Sequence, residues 1–427
     1  MNIWIFNHYA RTPLQSAGTR HYELAKYLIS KGCKVTIFAS SYSNIQKKYL
    51  IEHENGEHQV ENIDGIRFVW LKTTAYHKNS TRILSFFSYY NQSIKAVKKA
   101  FANEKVDVII GSSVHPLAAL AAYKISKQKK TKFYFEERDL WPQTFIDFGK
   151  ISENHVVSKL LFRLENFLYD KSDKIIVLFD RAVDYVGSKG SDVGKVIHIP
   201  NGVNIDAFKQ KNESESVDKI FREFEGKFTI IYTGSHGIAN DLDKLIDLAE
   251  QVQLSDPDKN IHFLSVGAGP LKNKLINKAA EKKLDNITFL EPVRKVDIPY
   301  LLSKADMSYI SILDSPLYKW GFSMNKLYDY MAAGLPMIMH TNSELVGEYN
   351  EIDGVFVSEN IETLRNKILW LNNHQDEIQK YSATLKNYVE SRYSWDILGE
   401  KVYKEMISDM KLNEIEVKQS KIRSDVR

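Results

Sequence analysis

The sequence predicts an α/β protein made of two doubly wound, Rossmann-like domains that face each other across a cleft. Three observations predict it. The first half alternates short β-rich runs with helical patterns, as in Tyr22, Ala25, Leu28 and Ile29. Residues 209–227 then break the pattern with a polar, charged stretch. The alternation resumes beyond it and closes in long helical segments. Strands alternating with helices argue for βαβ units and parallel sheets.

In the first half the strand candidates are Ile3–Phe6, Val35–Ala39, Ile66–Leu71, Val106–Ile110, Lys132–Phe135, Ile175–Leu178 and Val196–Ile199. In the second they are Phe228–Tyr232, His262–Val266, Ile287–Leu290, Met307–Ile310, Met337–Met339 and Val355–Val357. Helices are expected at 360–372, 376–391 and 396–411. The predicted organisation is a first domain at 1–205, an exposed linker with a short helix at 206–227, a second domain at 228–392, and a closing helix and tail at 393–427. Ligands of such sheets bind beyond the carboxyl ends of the strands.

Composition excludes several classes. With 43% hydrophobic and 26% charged residues, the 427-residue chain is neither disordered nor fibrous. A net charge of +4 does not indicate a nucleic-acid partner. Cys33 is the only cysteine, so no intramolecular disulfide or multi-cysteine metal site is available, and a reducing cytosol fits best. The amino terminus lacks the pattern of a signal peptide, and no run reaches the ~20 apolar residues of a membrane span. A cytoplasmic location is expected.

Three glycine turns follow strands in the second half. The first is Gly234-Ser235-His236-Gly237 and the second Gly267-Ala268-Gly269-Pro270. Such turns bring backbone and a helix start close to a phosphate, or they are simply tight turns. The third stretch, Gly321 to Pro336, reads as a helix with Ser323 as N-cap and Gly334 and Pro336 as its stop. Lys326 falls in its first turn, where a cation is disfavoured unless an anion joins it. Asp329 lies on the same face. Together they suit a nucleoside diphosphate, or form an exposed ion pair. No P-loop is present, and no GxGxxG follows the first strand. Asp241-Leu242-Asp243 is expected on a helix, where the two carboxylates diverge, so no metal site is predicted.

Four stretches carry a family resemblance: Ala17 to Leu24 (AGTRHYEL), Ser112 to Pro116 (SSVHP), Glu136 to Pro142 (EERDLWP) and Asn325 to Gly334 (NKLYDYMAAG). On these the chain resembles retaining glycosyltransferases of family 4 with the GT-B fold, in the branch that builds bacterial O-antigens and capsules. The resemblance implies a closing helix that returns to the N-terminal domain. It also implies a retaining, metal-independent transfer from a nucleotide sugar, expected to be a UDP-sugar, to a lipid-linked saccharide, with no cofactor. His115 and Lys326 take the catalytic roles. The donor is held by Gly234, Ser235, His236, Gly237, Gly267, Gly269, Arg294, Asn325, Leu327 and Asp329. Gly18, Arg20, Glu136, Arg138 and Asp139 shape the acceptor side.

The chain departs from the family in three places. Gly321 and Asp329 stand where two glutamates are usual, Ser235 and Asn240 where an arginine and a lysine are usual, and Ala17-Gly18 where two glycines are usual. Lys326 and Arg294 are left to supply positive charge.

Residues 82–99 mix Phe86, Phe87, Tyr89 and Tyr90 with Arg82, Lys95, Lys98 and Lys99. Such a helix lies on an anionic membrane at the inner face, or it buries its aromatic side in the core. Two rival functions fit the same fold: a sugar-nucleotide epimerase, which the EERDLWP motif does not suit, and a glycan-binding protein without turnover.

Overall fold

The computed structural model describes residues 1–15, 18–43, 46–53, 56–78 and 81–425, with side chains described up to residue 411. It resolves into two compact units. One comprises Met1–Arg11, Thr19–Pro200 and Trp395–Arg427, the other Thr12–Gly18 and Asn201–Ser394.

The first unit is built on β1 (Asn2–Phe6), β2 (Lys34–Ser40), β5 (His58–Ile63), β6 (Ile66–Leu71), β7 (Val108–Ser112), β8 (Lys132–Glu137), β9 (Lys174–Val177) and β10 (Val196–His198). Their order in the sheet is β10-β9-β8-β7-β1-β2-β6-β5. A short pair, β3 (Tyr42–Ser43) and β4 (Lys48–Tyr49), stands apart. The central strands are covered on both faces, which is why β1 reads as an unbroken apolar run with Ile3, Trp4, Ile5 and Phe6 all buried. Within this eight-stranded sheet β5 runs antiparallel, against β6, and the other described pairings are parallel. Sequence periodicity missed β5. Its residues, HQVENI, are mostly polar because it is an edge strand with a solvated face.

The second unit holds β11 (Phe228–Thr233), β12 (Ile261–Val266), β13 (Ile287–Leu290), β14 (Met307–Ser311), β15 (Met337–His340) and β16 (Val355–Ser358), ordered β13-β12-β11-β14-β15-β16. All its pairings are parallel.

The expected linker is corrected. Residues 206–227 are largely exposed, yet they are no free-standing connection. The helices Ile205–Gln210 and Glu215–Arg222 pack on the second unit, with Phe208, Val217 and Phe224 in its core. Val217, Ile220, Phe221 and Phe224 recur at helical spacing, so one face is apolar despite the charged composition. The units meet in sequence at Pro200 and Asn201 and again at Ser394 and Trp395, rather than at 205 and 392. The closing helix, Trp395–Asp425, inserts Trp395, Leu398, Val402 and Met406 into the first unit's core. It lies against the Arg20–Ser30 helix, where the Tyr27 hydroxyl donates to Glu400.

Because Phe208 is core and not linker, Phe208→Ala is expected to cost about 3 kcal/mol in the unfolding transition of the second unit, read by urea denaturation. A change within about 0.5 kcal/mol, the usual effect at an exposed position, would return this segment to the role of a linker.

Candidate active site

In each sheet the strand order reverses beside the first strand of the unit, where crevices form in doubly wound folds. In the first unit that point lies between β1 and β7, in the second between β11 and β14. The chemistry-bearing residues gather at these two places.

In the second unit, β11 ends in the turn Gly234–Gly237, and β12 ends in the turn Gly267–Gly269. The His236 amide donates to Ala268 O at 3.0 Å, and the Leu271 amide donates to His236 O at 3.0 Å. A side chain on Gly267 would place Cβ 1.8 Å from Gly234 O, and one on Gly269 would place it 2.4 Å from His236 O. Glycine is therefore required there by the packing of one turn on the other. Lys272 fixes the arrangement from below. Its ammonium donates to Gly267 O, Leu290 O and Glu291 at 3.0, 2.8 and 2.6 Å.

Lys326 approaches the first turn from the Asn325–Ala333 helix. Its Nζ donates to Asn240 Oδ1 at 2.5 Å and to the Tyr232 hydroxyl at 3.1 Å, and stands 4.3 Å from the Tyr232 ring centre. Asn240 in turn donates to Ser235 O at 2.9 Å. Among the described residues no carboxylate pairs with Lys326, and burial pushes its ammonium down to about 7. Gly334 ends the helix in the left-handed conformation at φ 76°, as its stop signal predicts. The N-cap is corrected from Ser323 to Met324, because the Ser323 hydroxyl is engaged by the Asn201 amide at 2.7 Å. Lys326 therefore sits second in the helix.

Asp329 is buried and receives Lys295 at 2.5 Å. Sequence reasoning missed Lys295, which lies 34 positions away at the start of a short 3-10 turn with no periodic signal. Arg294, expected to supply charge, is instead held by Asp297 through two bonds of 2.8 and 3.0 Å. Leu327 is core, so its side chain offers nothing to a ligand. Asn325 is exposed, and a Cβ on Gly18 would lie 3.0 Å from its amide. His236 is buried, with Nε2 on Ser265 at 2.8 Å, its Nδ1 unpartnered among the described residues, and its pKa lowered to about 4 by burial and then by Lys272 and Lys326. Asp241 is corrected from helix to a left-handed residue at φ 40°. It pairs with Lys244, while Asp243 pairs with Lys274 and Lys278.

In the first unit, Arg20 and Glu136 are corrected from ligand-facing residues to scaffold. Arg20 donates to Glu136 at 2.7 Å and to the carbonyls of Pro200 and Ile199 at 2.6 and 2.8 Å, which engages each of its three nitrogens within the protein. His21 donates from Nε2 to the other Glu136 oxygen at 2.7 Å, and its Nδ1 accepts from Asn7 at 2.7 Å. Burial opposes the Glu136 charge, but His21 and Arg20 hold the carboxyl well below its usual range. Glu137 points to the opposite face of β8, where Tyr169 donates to it. Arg138 is different. Its Nε is buried without a partner among the described residues. Asp139 is exposed beside it.

His115 follows β7 and is buried. Its Nε2 lies 2.8 Å from Nδ1 of His8, the second residue after β1. Phe86 stacks on His115 with ring centres 4.0 Å apart, and the Tyr89 hydroxyl donates to Phe38 O at 2.7 Å. Lys95 and Lys99 both pair with Glu57. On the Arg82–Ala100 helix Tyr89 is thus core and Phe86 packs on His115, whereas the large apolar side chains of Ile83, Leu84 and Phe87 are exposed.

Residues 17–207 match the family described as Glycosyltransferase Family 4, and residues 227–374 match Glycosyl transferases group 1. The chain belongs to glycosyltransferase family 4. It is 20% identical over 267 residues to the probable glycosyltransferase WbjE of Pseudomonas aeruginosa, a match spanning 61% of this chain and 64% of that protein, just under two thirds. Sucrose-phosphate synthase from Thermosynechococcus elongatus shares the fold with a TM-score of 0.72 at 15% identity, over 96% of this chain and 99% of that one. Anabaena HepE, in complex with UDP and glucose, does so with a TM-score of 0.66 at 14% identity, over 96% and 100%. These likenesses identify the fold as GT-B. Among the described residues no helix is long and apolar enough to cross a membrane.

Removing the Asp329 charge strands Lys295. Asp329→Asn is expected to cost about 1–3 kcal/mol in the second unit's denaturation even without ligand, the range for a hydrogen bond to a charged group. Unchanged stability would show that the pair carries no weight.

Proposed function

We propose that this family member moves a hexosyl or N-acetylhexosaminyl group from a UDP-sugar to a lipid-linked saccharide in surface-polysaccharide synthesis, with retention and without a metal ion. The observation that carries the reading is Lys326. It is an ammonium held by a neutral amide and a phenol at the end of β11, beside two stitched glycine turns. A diphosphate is the chemistry that completes such a site. It supplies the missing negative charge and raises the lysine's affinity for its proton. As the bond to the anomeric carbon breaks, charge accumulates on the departing phosphate, and a preorganised cation there lowers the barrier. The UDP bound by HepE supports a uridine nucleotide as the donor carrier.

On the acceptor side, Arg138 has a buried Nε with no partner among the described residues. A guanidinium of this kind suits the diphosphate of a lipid-linked acceptor. Ile83, Leu84 and Phe87, next to Arg82, support contact with a membrane surface at the inner face.

The test is turnover of UDP-glucose and UDP-N-acetylglucosamine, with and without a polyprenyl-diphosphate-linked sugar, in excess EDTA. Transfer is expected to persist in EDTA. Lys326→Ala is expected to slow it by ~10²–10³ with the fold intact, and Arg138→Ala to raise the acceptor KM about tenfold. Loss of activity that manganese restores would refute metal independence. Lys326→Ala turning over within about twofold of wild type would refute the donor site. Binding of UDP-sugars with no turnover at all would leave a glycan-binding protein.

A further inference from the structure

His8 lies outside every motif that the sequence singled out, yet it makes the closest polar contact to His115. The two residues leave adjacent strands, β1 and β7, at the point where the sheet order reverses. Both rings are almost fully buried and clamped. His8 lies flat on Tyr89, with ring centres 4.6 Å apart and planes 16° apart, and His115 lies flat on Phe86 at 4.0 Å and 14°. Burial pushes His115 down to about 3 and His8 well below its usual range, so both imidazoles are neutral. A neutral pair shares one proton across its contact, and the partners on either side decide which ring owns it.

Those partners are present. The Ser85 hydroxyl donates to Thr73 Oγ1 at 3.4 Å. With its proton directed there, Ser85 is free to accept at 3.3 Å from His8, an arrangement in which His8 carries its proton on Nε2. The His8 Nδ1 is left as a lone pair facing His115 Nε2 at 2.8 Å, so His115 is the donor of that bond. Its own Nδ1 is then bare, and it is a buried atom with no partner among the described residues. Leaving a buried acceptor empty is costly, a reason to look for the hydrogen donor that fills it.

We propose that His8 is a positioning residue: it accepts the Nε2–H of His115, fixes that ring in one tautomer, and leaves His115 Nδ1 as an acceptor for a sugar hydroxyl of the substrate. The carboxylate that orients a triad histidine does comparable work, with a neutral imidazole in its place here. The inference rests on reading His115 as a residue that meets sugar.

The experiment combines nitrogen NMR of histidine-labelled full-length protein with turnover of UDP-glucose and UDP-N-acetylglucosamine. Wild-type His115 is expected to show a protonated Nε2 and a bare Nδ1. His8→Phe keeps the stacking but removes the acceptor. It is expected to lower kcat by ~10–100-fold, the usual effect of losing a partner that orients a working histidine, and to mix the His115 tautomers. His8→Asn returns an acceptor oxygen near the position of Nδ1 and is expected to restore the tautomer and recover most of the lost rate. A protonated Nδ1 on wild-type His115, or His8→Phe with wild-type kcat and tautomer, would overturn the proposal. If wild-type protein turns over no UDP-sugar, the proposed function fails, while the tautomer still decides the role of His8.

Discussion

An ammonium held with no carboxylate partner among the described residues is the constraint on which the second unit's site depends. Lys326 emerges at the start of a helix, the end that repels cations, and its hydrogen bonds go to Asn240 and Tyr232. The family's usual lysine near position 240 is replaced here by an amide, and Asn240 accepts from the Lys326 ammonium. Around it the two glycine turns are stitched backbone to backbone, and Lys272 gathers the carbonyls beneath them. Those carbonyls would otherwise add negative potential without direction. The Lys295–Asp329 pair ties a loop to the same helix.

The first unit solves a different problem at the equivalent place. Its reversal point carries two neutral imidazoles rather than a cation, with the charge of Glu136 balanced nearby by Arg20 and hydrogen-bonded by His21. Neutral rings suit sugar hydroxyls, which need directional partners and carry no charge. Arg138 keeps its buried Nε open close by. The two units thus place different chemistry on the same topological feature: a lysine ammonium on one sheet and a pair of neutral imidazoles on the other, which the proposed function assigns to a diphosphate and to sugar hydroxyls.

What was legible in the sequence was what local pattern can encode. The buried parallel strands announced themselves as apolar runs, Gly334 and Pro336 marked the end of a helix, and Lys326 stood out as a cation at the wrong helix end. What was not legible depended on partners distant in the chain. Lys295 and Lys272 look like ordinary surface lysines until Asp329 and the turn carbonyls are in place. Arg20 and Glu136 belong to a motif, yet their charges are spent on each other and on carbonyls near residue 200. His8 is a lone histidine after a strand. Its meaning comes from β1 pairing with β7, a contact across about a hundred residues of chain. Strand β5 was hidden because an edge strand needs little apolar surface, and the helices at 205–222 because charge concealed one apolar face.

The most direct test of the central claim is the proton balance of nucleotide binding. With Lys326 held down to about 7 when the site is empty, it is largely neutral at about pH 8.5. A diphosphate raises that pKa, so binding must draw a proton from solution. Calorimetric titration of UDP at about pH 8.5, in buffers of different ionisation enthalpy, is expected to show uptake approaching one proton per UDP, and none for Lys326→Met. Tight UDP binding with no proton uptake, or the same uptake in Lys326→Met, would contradict the account.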